Sequence, residues 1–235
     1  MKETDERWVN NWSRRYHKPV FDSRFTQRWG TNTEPEASIW LSSMSEPMGE
    51  FFTEGLKILD YGCGGGRYAN FISQRIKDFT YYGIEPNGGE SAIAIEELKN
   101  HRLPANVRFG YITDEIEKEA IDTVDVVALG SIFTHLVFET DDESPNGDSF
   151  VTICDKFKPV IDRGGIIVFS VFIDDVVRTQ GGAGAYGILR CYGWSYYTLE
   201  VMNDYCEKRG LKITEGDNFL AQEVNDHRIF RMEKK

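Results

Sequence analysis

Residues 60 to 66 read Asp60-Tyr61-Gly62-Cys63-Gly64-Gly65-Gly66, an acid followed by a run rich in glycine. Ahead of it, Leu56 to Tyr61 has the apolar character of a strand. Behind it, Arg67 to Lys77 places Tyr68, Phe71, Ile72 and Ile76 at helical spacing. A glycine loop between a strand and a helix lets backbone approach a ligand closely. The flanking positions say which kind of ligand. A dinucleotide loop, G-x-G-x-x-G counted from Gly62, needs glycine at position 67, and Arg67 stands there. Asp60 lies two positions before the first glycine. A carboxylate there sits badly beside a pyrophosphate and well beside the ammonium of an amino-acid ligand. Glu85, 21 positions beyond Gly64 at the end of the strand-like run Thr80 to Glu85, is spaced to accept hydrogen bonds from both hydroxyls of a ribose.

His135 follows the fourth strand-like run, Val124 to Leu129, where open α/β sheets place their ligands. An imidazole there can take a proton from a substrate hydroxyl or amine. It can equally cap a loop or orient a substrate, and the residues leave both roles open. His17 is a second candidate on the substrate side. Tyr186, Tyr192 and Trp194, with Tyr196 and Tyr197, follow the glycine-rich run 181–184. They either line a substrate pocket or pack an insertion onto the sheet. Cys63 reads as a small buried hydrophobe rather than a reactive thiol. Asp174 and Asp175 are adjacent acids without a third ligand in view, so no metal is expected.

The elements that must position these residues alternate in type. Strands are expected at Leu56 to Tyr61, Thr80 to Glu85, Val107 to Tyr111, Val124 to Leu129 and Gly165 to Phe172, with helices from Arg67 to Lys77 and from about Glu90 to Asn100. Runs this apolar, separated by helices, suggest a parallel sheet buried on both faces. A helix from Leu199 to Arg209 has Thr198 as N-cap and Gly210 as stop, and two strands follow it without a helix between them, Leu211 to Glu215 and His227 to Met232. The expected fold is α/β: a doubly wound, mostly parallel seven-stranded sheet ending in an antiparallel hairpin. Residues 1–50, rich in tryptophan and other aromatics, read as an N-terminal helical extension, and 51–235 as the main domain with 174–197 inserted on the substrate side. For the extension two readings stay open, a lid over the substrate side and a homodimer contact.

The 235 residues are 40% hydrophobic and 28% charged, which suits a globular domain. The formal net charge of −11, with no Lys/Arg-rich run, opposes nucleic-acid binding and points to a small-molecule partner. No apolar run is long enough to span a membrane, and the polar, acidic first residues do not resemble a signal peptide. The 4 cysteines form no C-x-x-C pair, which fits a reducing, cytoplasmic setting.

The D-x-G-x-G-x-G loop resembles motif I of the class I S-adenosylmethionine-dependent methyltransferases, and the resemblance runs over about residues 55–175. It implies a Rossmann-like sheet and S-adenosyl-L-methionine as cofactor. Asp60, Tyr61, Gly62, Cys63 and Gly64 would then hold the amino-acid part, and Glu85 with Pro86 the ribose. Thr113 and Asp114 would meet the adenine, though Asp114 could instead cap a helix, and Gly130 and Ser131 would close the fourth strand beside the cofactor. The implied reaction is methyl transfer to a small molecule, at oxygen before nitrogen. The [DNS]-P-P-[YFW] motif of DNA amino-methyltransferases has no counterpart in Gly130-Ser131-Ile132-Phe133. A cofactor-binding regulatory protein without catalysis is the alternative from another class. A nicotinamide-dependent oxidoreductase conflicts with both Asp60 and Arg67.

Overall fold

The structure is a computed structural model that describes residues 41–64, 66–84, 107–110, 115–130, 132–133, 147–173, 196–216 and 227–235. Glu85, Pro86, Thr113, Asp114, Ser131, His135, His17, Tyr186, Tyr192 and Trp194 lie outside the described residues.

The strands are β1 (Leu56–Tyr61), β2 (Phe79–Ile84), β3 (Val107–Gly110), β4 (Val126–Leu129), β5 (Ile166–Ile173), β6 (Tyr196–Tyr197), β7 (Leu211–Glu215) and β8 (His227–Lys234). The helices are α1 (Arg67–Ser73), α2 (Glu115–Thr123), α3 (Gly147–Asp162) and α4 (Leu199–Lys208). The sheet order is β3-β2-β1-β4-β5-β8-β7. Strands β1 to β5 pair in parallel along that path, and β8 runs antiparallel to both β5 and β7. All seven expected strands are present, including the terminal hairpin. The added eighth, β6, pairs parallel with the end of β5, so the last residues of the 174–197 segment belong to the sheet.

Strand alternation divides the core in two. Leu59 and Tyr61 of β1, Val127 and Leu129 of β4, and Ile167 and Phe169 of β5 face one side, where α2, α3 and α4 cover them. Leu56 and Ile58, Val126 and Ala128, and Ile166 and Val168 face the other, under α1 and residues 41–48. Burial of both faces explains why these strands read as continuous apolar runs. Residues 41–45 are helical and Glu46–Phe51 continue as a 3₁₀ segment. Arg231 of β8 ties that segment down, donating to the Pro47 carbonyl and pairing with Glu50 at 2.9 Å. Among the described residues no helix is long and apolar enough to cross a membrane.

Helix α1 stops at Ser73, short of the expected Lys77. The reason lies in the turn before β1. The Glu54 carboxylate accepts hydrogen bonds from the backbone N–H groups of Lys77 (3.1 Å) and Asp78 (2.7 Å), diverting the chain from the helix into β2. Neither α2 nor α3 was among the elements expected from the sequence. Helix α3 carried the signal all the same, since Phe150, Cys154, Phe157 and Ile161 are buried at helical spacing.

Helix α4 behaves as its sequence foretells. Thr198 is the N-cap, its hydroxyl accepting from the Val201 N–H at 3.2 Å, and Gly210 follows the helix at φ 65°. Replacing Thr198 with alanine should lower stability by about 1 kcal/mol, because the first turn loses its side-chain acceptor. Urea unfolding followed by circular dichroism measures this, and an unchanged midpoint would mean that water replaces the cap at no loss.

Candidate functional site

The chain runs outward from β1 through β2 to β3, then returns to place β4 on the other side of β1. The order therefore reverses between β1 and β4, and a crevice opens at the carboxyl ends of those strands. Asp60 pairs in register with Ala128 there. A cavity of about 100 Å³ occupies the crevice. Its wall includes Asp60, Gly62, Cys63 and Gly64 from β1 and its loop, Arg67 and Tyr68 from α1, and Ala128 and Gly130 from β4. Leu41 and Met44 contribute from the segment preceding the sheet.

The loop is fastened to the next strand. The N–H groups of Gly62 and Cys63 both donate to the Ile84 carbonyl, at 2.6 and 3.2 Å, and the Gly66 N–H donates to the Cys63 carbonyl at 2.9 Å. This joins the glycine loop to the residue just before Glu85. Gly62 sits at φ +79°, and a Cβ there would come within 1.9 Å of the Ile132 side chain, so only glycine lets β1 turn this close to the residues after β4. Gly64 differs. At φ +52° it needs left-handed backbone, yet a Cβ would meet nothing within 4 Å. Its surroundings are open on the cavity side, where a ligand could lie against bare backbone. Cys63 is buried and its Sγ lies against Gly83, which matches the reading of a small hydrophobe.

Asp60 is the notable group. It is 6% exposed, and its carboxylate accepts a hydrogen bond from the Tyr81 hydroxyl at 2.5 Å. Burial pushes its pKa up to about 6, against the opposing pull of the Tyr81 donor and the nearby Arg67 charge. Burial likewise lowers the Arg67 pKa, and Asp60 raises it. Tyr68 closes the outer side: its hydroxyl shares a 2.8 Å hydrogen bond with Ser45 Oγ, which donates to the Leu41 carbonyl. Residues 41–48 are thereby held over the glycine loop.

Of the site residues read from the sequence, the structure brings Asp60, Gly62, Cys63, Gly64 and Gly130 to one cavity. The Tyr61 side chain lies on the opposite face of the sheet, where it accepts from Lys156 Nζ at 3.1 Å and meets Phe157 edge-on. Lys156 also pairs with the buried Glu117 at 2.6 Å, so Tyr61 fixes the loop from beneath. Tyr197 is a core residue packed on Phe133 and Phe150, not a pocket lining. Arg67, Tyr68, Tyr81, Leu41 and Met44 were not foreseen as site residues. Strand parity could have found Tyr81, which lies two positions before Gly83, the register partner of Asp60.

No family model matches the chain. It is 28% identical over 127 residues, 54% of its length, to a ubiquinone biosynthesis O-methyltransferase of Agrobacterium fabrum, covering 44% of that relative. The same named protein of Rhizobium etli matches at 28% over 173 residues, 69% of this chain and 62% of the relative. That of Pseudomonas fluorescens matches at 30% over 117 residues, 49% of this chain and 44% of the relative. The chain spans about half the length of the curated relatives it matches. Among solved structures, a magnesium protoporphyrin IX methyltransferase from Synechocystis PCC 6803 with bound SAH superposes with a TM-score of 0.54 at 14% identity, over 96% of this chain and 94% of that one. The plantazolicin methyltransferase in complex with SAH gives 0.57 at 12%, over 97% and 95%. The mitomycin 7-O-methyltransferase gives 0.59 at 14%, over 96% and 60%. With its sheet order, terminal antiparallel hairpin and glycine loop at the switch point, the chain has the class I S-adenosylmethionine-dependent methyltransferase fold.

Proposed function

We propose that the protein transfers a methyl group from S-adenosyl-L-methionine to a small-molecule acceptor, at oxygen rather than nitrogen. One observation carries the reading: a buried carboxylate, Asp60, in a cavity at the switch point behind a glycine loop with open space above Gly64. A carboxylate removed from water needs a cation or a donor set. An amino-acid ammonium is such a cation, and the bare backbone beside it gives the rest of the ligand room. Relatives that carry the O-methyltransferase name support the choice of oxygen.

In this reading Asp60 holds the ammonium and the backbone of Gly62, Cys63 and Gly64 lines the amino-acid part. Glu85 and Pro86 take the ribose, Thr113 and Asp114 the adenine, and Gly130 and Ser131 the edge near β4. The cofactor supplies a methyl group on a positively charged sulfur, already activated for displacement. The chain's own work is to align the acceptor and manage its proton. His135, just beyond the end of β4, takes that proton. His17, Tyr186, Tyr192 and Trp194 line the acceptor side, and residues 1–50 with 174–197 cover it.

Calorimetric titration with S-adenosylhomocysteine and, separately, NADH tests the reading. The first should bind with micromolar affinity or better and the second should not. Gly64→Arg should abolish binding, because its side chain fills the space the ligand needs and its backbone is strained at φ +52°. Binding of NADH, or of neither compound, would refute the assignment and leave only the fold. Cofactor binding without turnover on any phenol or amine acceptor would favour a regulatory role.

A further inference from the structure

We propose that Lys156 is a positioning residue that sets the span of the cofactor site, holding the end of β1 and the start of α2 at a fixed separation. The assignment rests on the cofactor reading above and adds to it a residue acting from the opposite face of the sheet. Lys156 lies in the middle of α3. Its ammonium donates to the Tyr61 hydroxyl at 3.1 Å, sits 5.0 Å from the centre of that ring, and pairs with the Glu117 carboxylate at 2.6 Å. Tyr61 is the last residue of β1, between Asp60 and Gly62, which both lie on the cavity wall. Glu117 is in the first turn of α2, which begins at Glu115, the residue after Asp114. One ammonium therefore joins two places: the strand end that the reading gives to the ligand's amino-acid part, and the helix start that follows the residues given to its adenine.

The pair contributes geometry more than stability. Side-chain exposure is 22% for Lys156 and 9% for Glu117, so both charges are largely out of water. Attraction in such surroundings roughly offsets the cost of dehydrating two ions, and the pair adds little stability over a neutral one of the same shape. What it adds is direction: an ion pair and a hydrogen bond on one ammonium leave little play between α2, α3 and the end of β1. The rest of α2 is held elsewhere. Tyr82 and Arg108 both donate to Glu119, and Arg163 donates to the carbonyls of Ile121 and Val124 at and just past the far end of the helix. Those contacts fix α2 to β2, to β3 and to the residue after α3, without reaching β1. A ligand that spans both ends of the site gains from their correct spacing, as two linked binding groups gain only when both can engage at once. A ligand that occupies one end is indifferent to the spacing.

The test is calorimetry with S-adenosylhomocysteine, which reaches both ends, and 5′-deoxy-5′-methylthioadenosine, which lacks the amino-acid part. The informative variant removes both charges and nearly keeps both shapes, Lys156→Met combined with Glu117→Gln. It should melt close to the wild type, bind S-adenosylhomocysteine about tenfold more weakly, and bind methylthioadenosine within roughly twofold of the wild type. Lys156→Met alone should show the same loss of affinity and also melt lower, because the buried Glu117 charge loses the Lys156 ammonium. Arg163→Met should melt lower too, yet leave the ratio of the two affinities unchanged, since it loosens α2 away from β1. Wild-type affinity for S-adenosylhomocysteine in the double variant would overturn the assignment while leaving the cofactor reading intact. So would equal weakening of both ligands, the mark of residues that only support the fold, or an Arg163→Met variant that shifts the ratio as far as the double variant does. Failure of the wild type to bind either ligand would overturn the cofactor reading and this assignment together. If the double variant does not fold, Glu117→Gln decides by the same ratio of affinities.

Discussion

Asp60→Asn should make the ligand-free protein more stable above pH 6 and its binding of S-adenosylhomocysteine about 10- to 100-fold weaker. The two effects share one cause. Burial raises the folded-state pKa of Asp60 from 3.8 to about 6. A carboxylic acid with a raised folded pKa favours the folded state below its unfolded pKa, and that advantage is lost as pH rises through the folded value. The loss therefore falls between about pH 4 and pH 6. Two pKa units correspond to roughly 3 kcal/mol, an upper value because the Arg67 charge loses its partner in the variant. Asparagine keeps an acceptor for Tyr81 and removes the charge. Unfolding midpoints of the two proteins from pH 4 to pH 8 should diverge with rising pH. A variant that is less stable at every pH, with ligand affinity intact, would assign Asp60 to structure instead.

The same carboxyl makes binding pH-dependent. An ammonium beside Asp60 favours the ionised form, so ligand binding expels the proton that burial retains. Affinity should rise with pH through about 6 and be roughly tenfold weaker at pH 5 than at pH 7, the ratio of ionised fractions for one group of that pKa. Titrations in buffers of different ionisation enthalpy should report release of about half a proton at pH 6, and Asp60→Asn should abolish it. Proton uptake in place of release would mean that the ligand places an anion, not a cation, next to Asp60.

The strand order and the loop were legible because they depend on local patterns. Apolar runs with glycine at their ends specify parallel strands wherever they pack, and Asp60 with its glycines is contiguous in sequence. Thr198 and Gly210 mark both ends of α4 by side-chain and backbone chemistry that operates within one turn. What could not be read was set by distant partners. The end of α1 depends on Glu54, which lies before β1 yet captures the N–H groups of Lys77 and Asp78. The Tyr81 donor reaches Asp60 across adjacent strands, and Leu41 and Met44 reach the cavity from outside the sheet. The two-residue β6 is too short for any periodicity and exists because Tyr197 inserts its ring among Phe133, Phe150 and the sheet.

That ring cluster leads to a large expected stability effect among the described residues. Phe150 on α3 is fully buried, with ring centroids of Phe133 at 5.1 Å, Tyr205 at 5.5 Å, Phe169 at 5.7 Å and Tyr197 at 5.9 Å around it. These neighbours come from the residues after β4, from β5, from β6 and from α4, so one side chain joins four parts of the fold. Phe150→Ala removes the ring contacts and leaves a cavity that four rigid neighbours cannot close. The expected loss is about 3–5 kcal/mol, a fall in Tm of roughly 8–15 °C for a domain of this size. Phe150→Leu should lose less than half as much, since it keeps most of the volume and forfeits mainly the edge-to-face contacts. Because Phe133 rests on this ring and follows Ile132, whose side chain packs on Gly62 of the glycine loop, the alanine variant should also bind S-adenosylhomocysteine more weakly, by a few-fold rather than the larger factor expected for Asp60. Calorimetric melting measures the first effect and titration the second. A loss under 1 kcal/mol would mean that α3 re-packs against β5 without the ring. Affinity as low as that of Asp60→Asn would mean that the aromatic cluster, and not the carboxylate, governs the shape of the cofactor cavity.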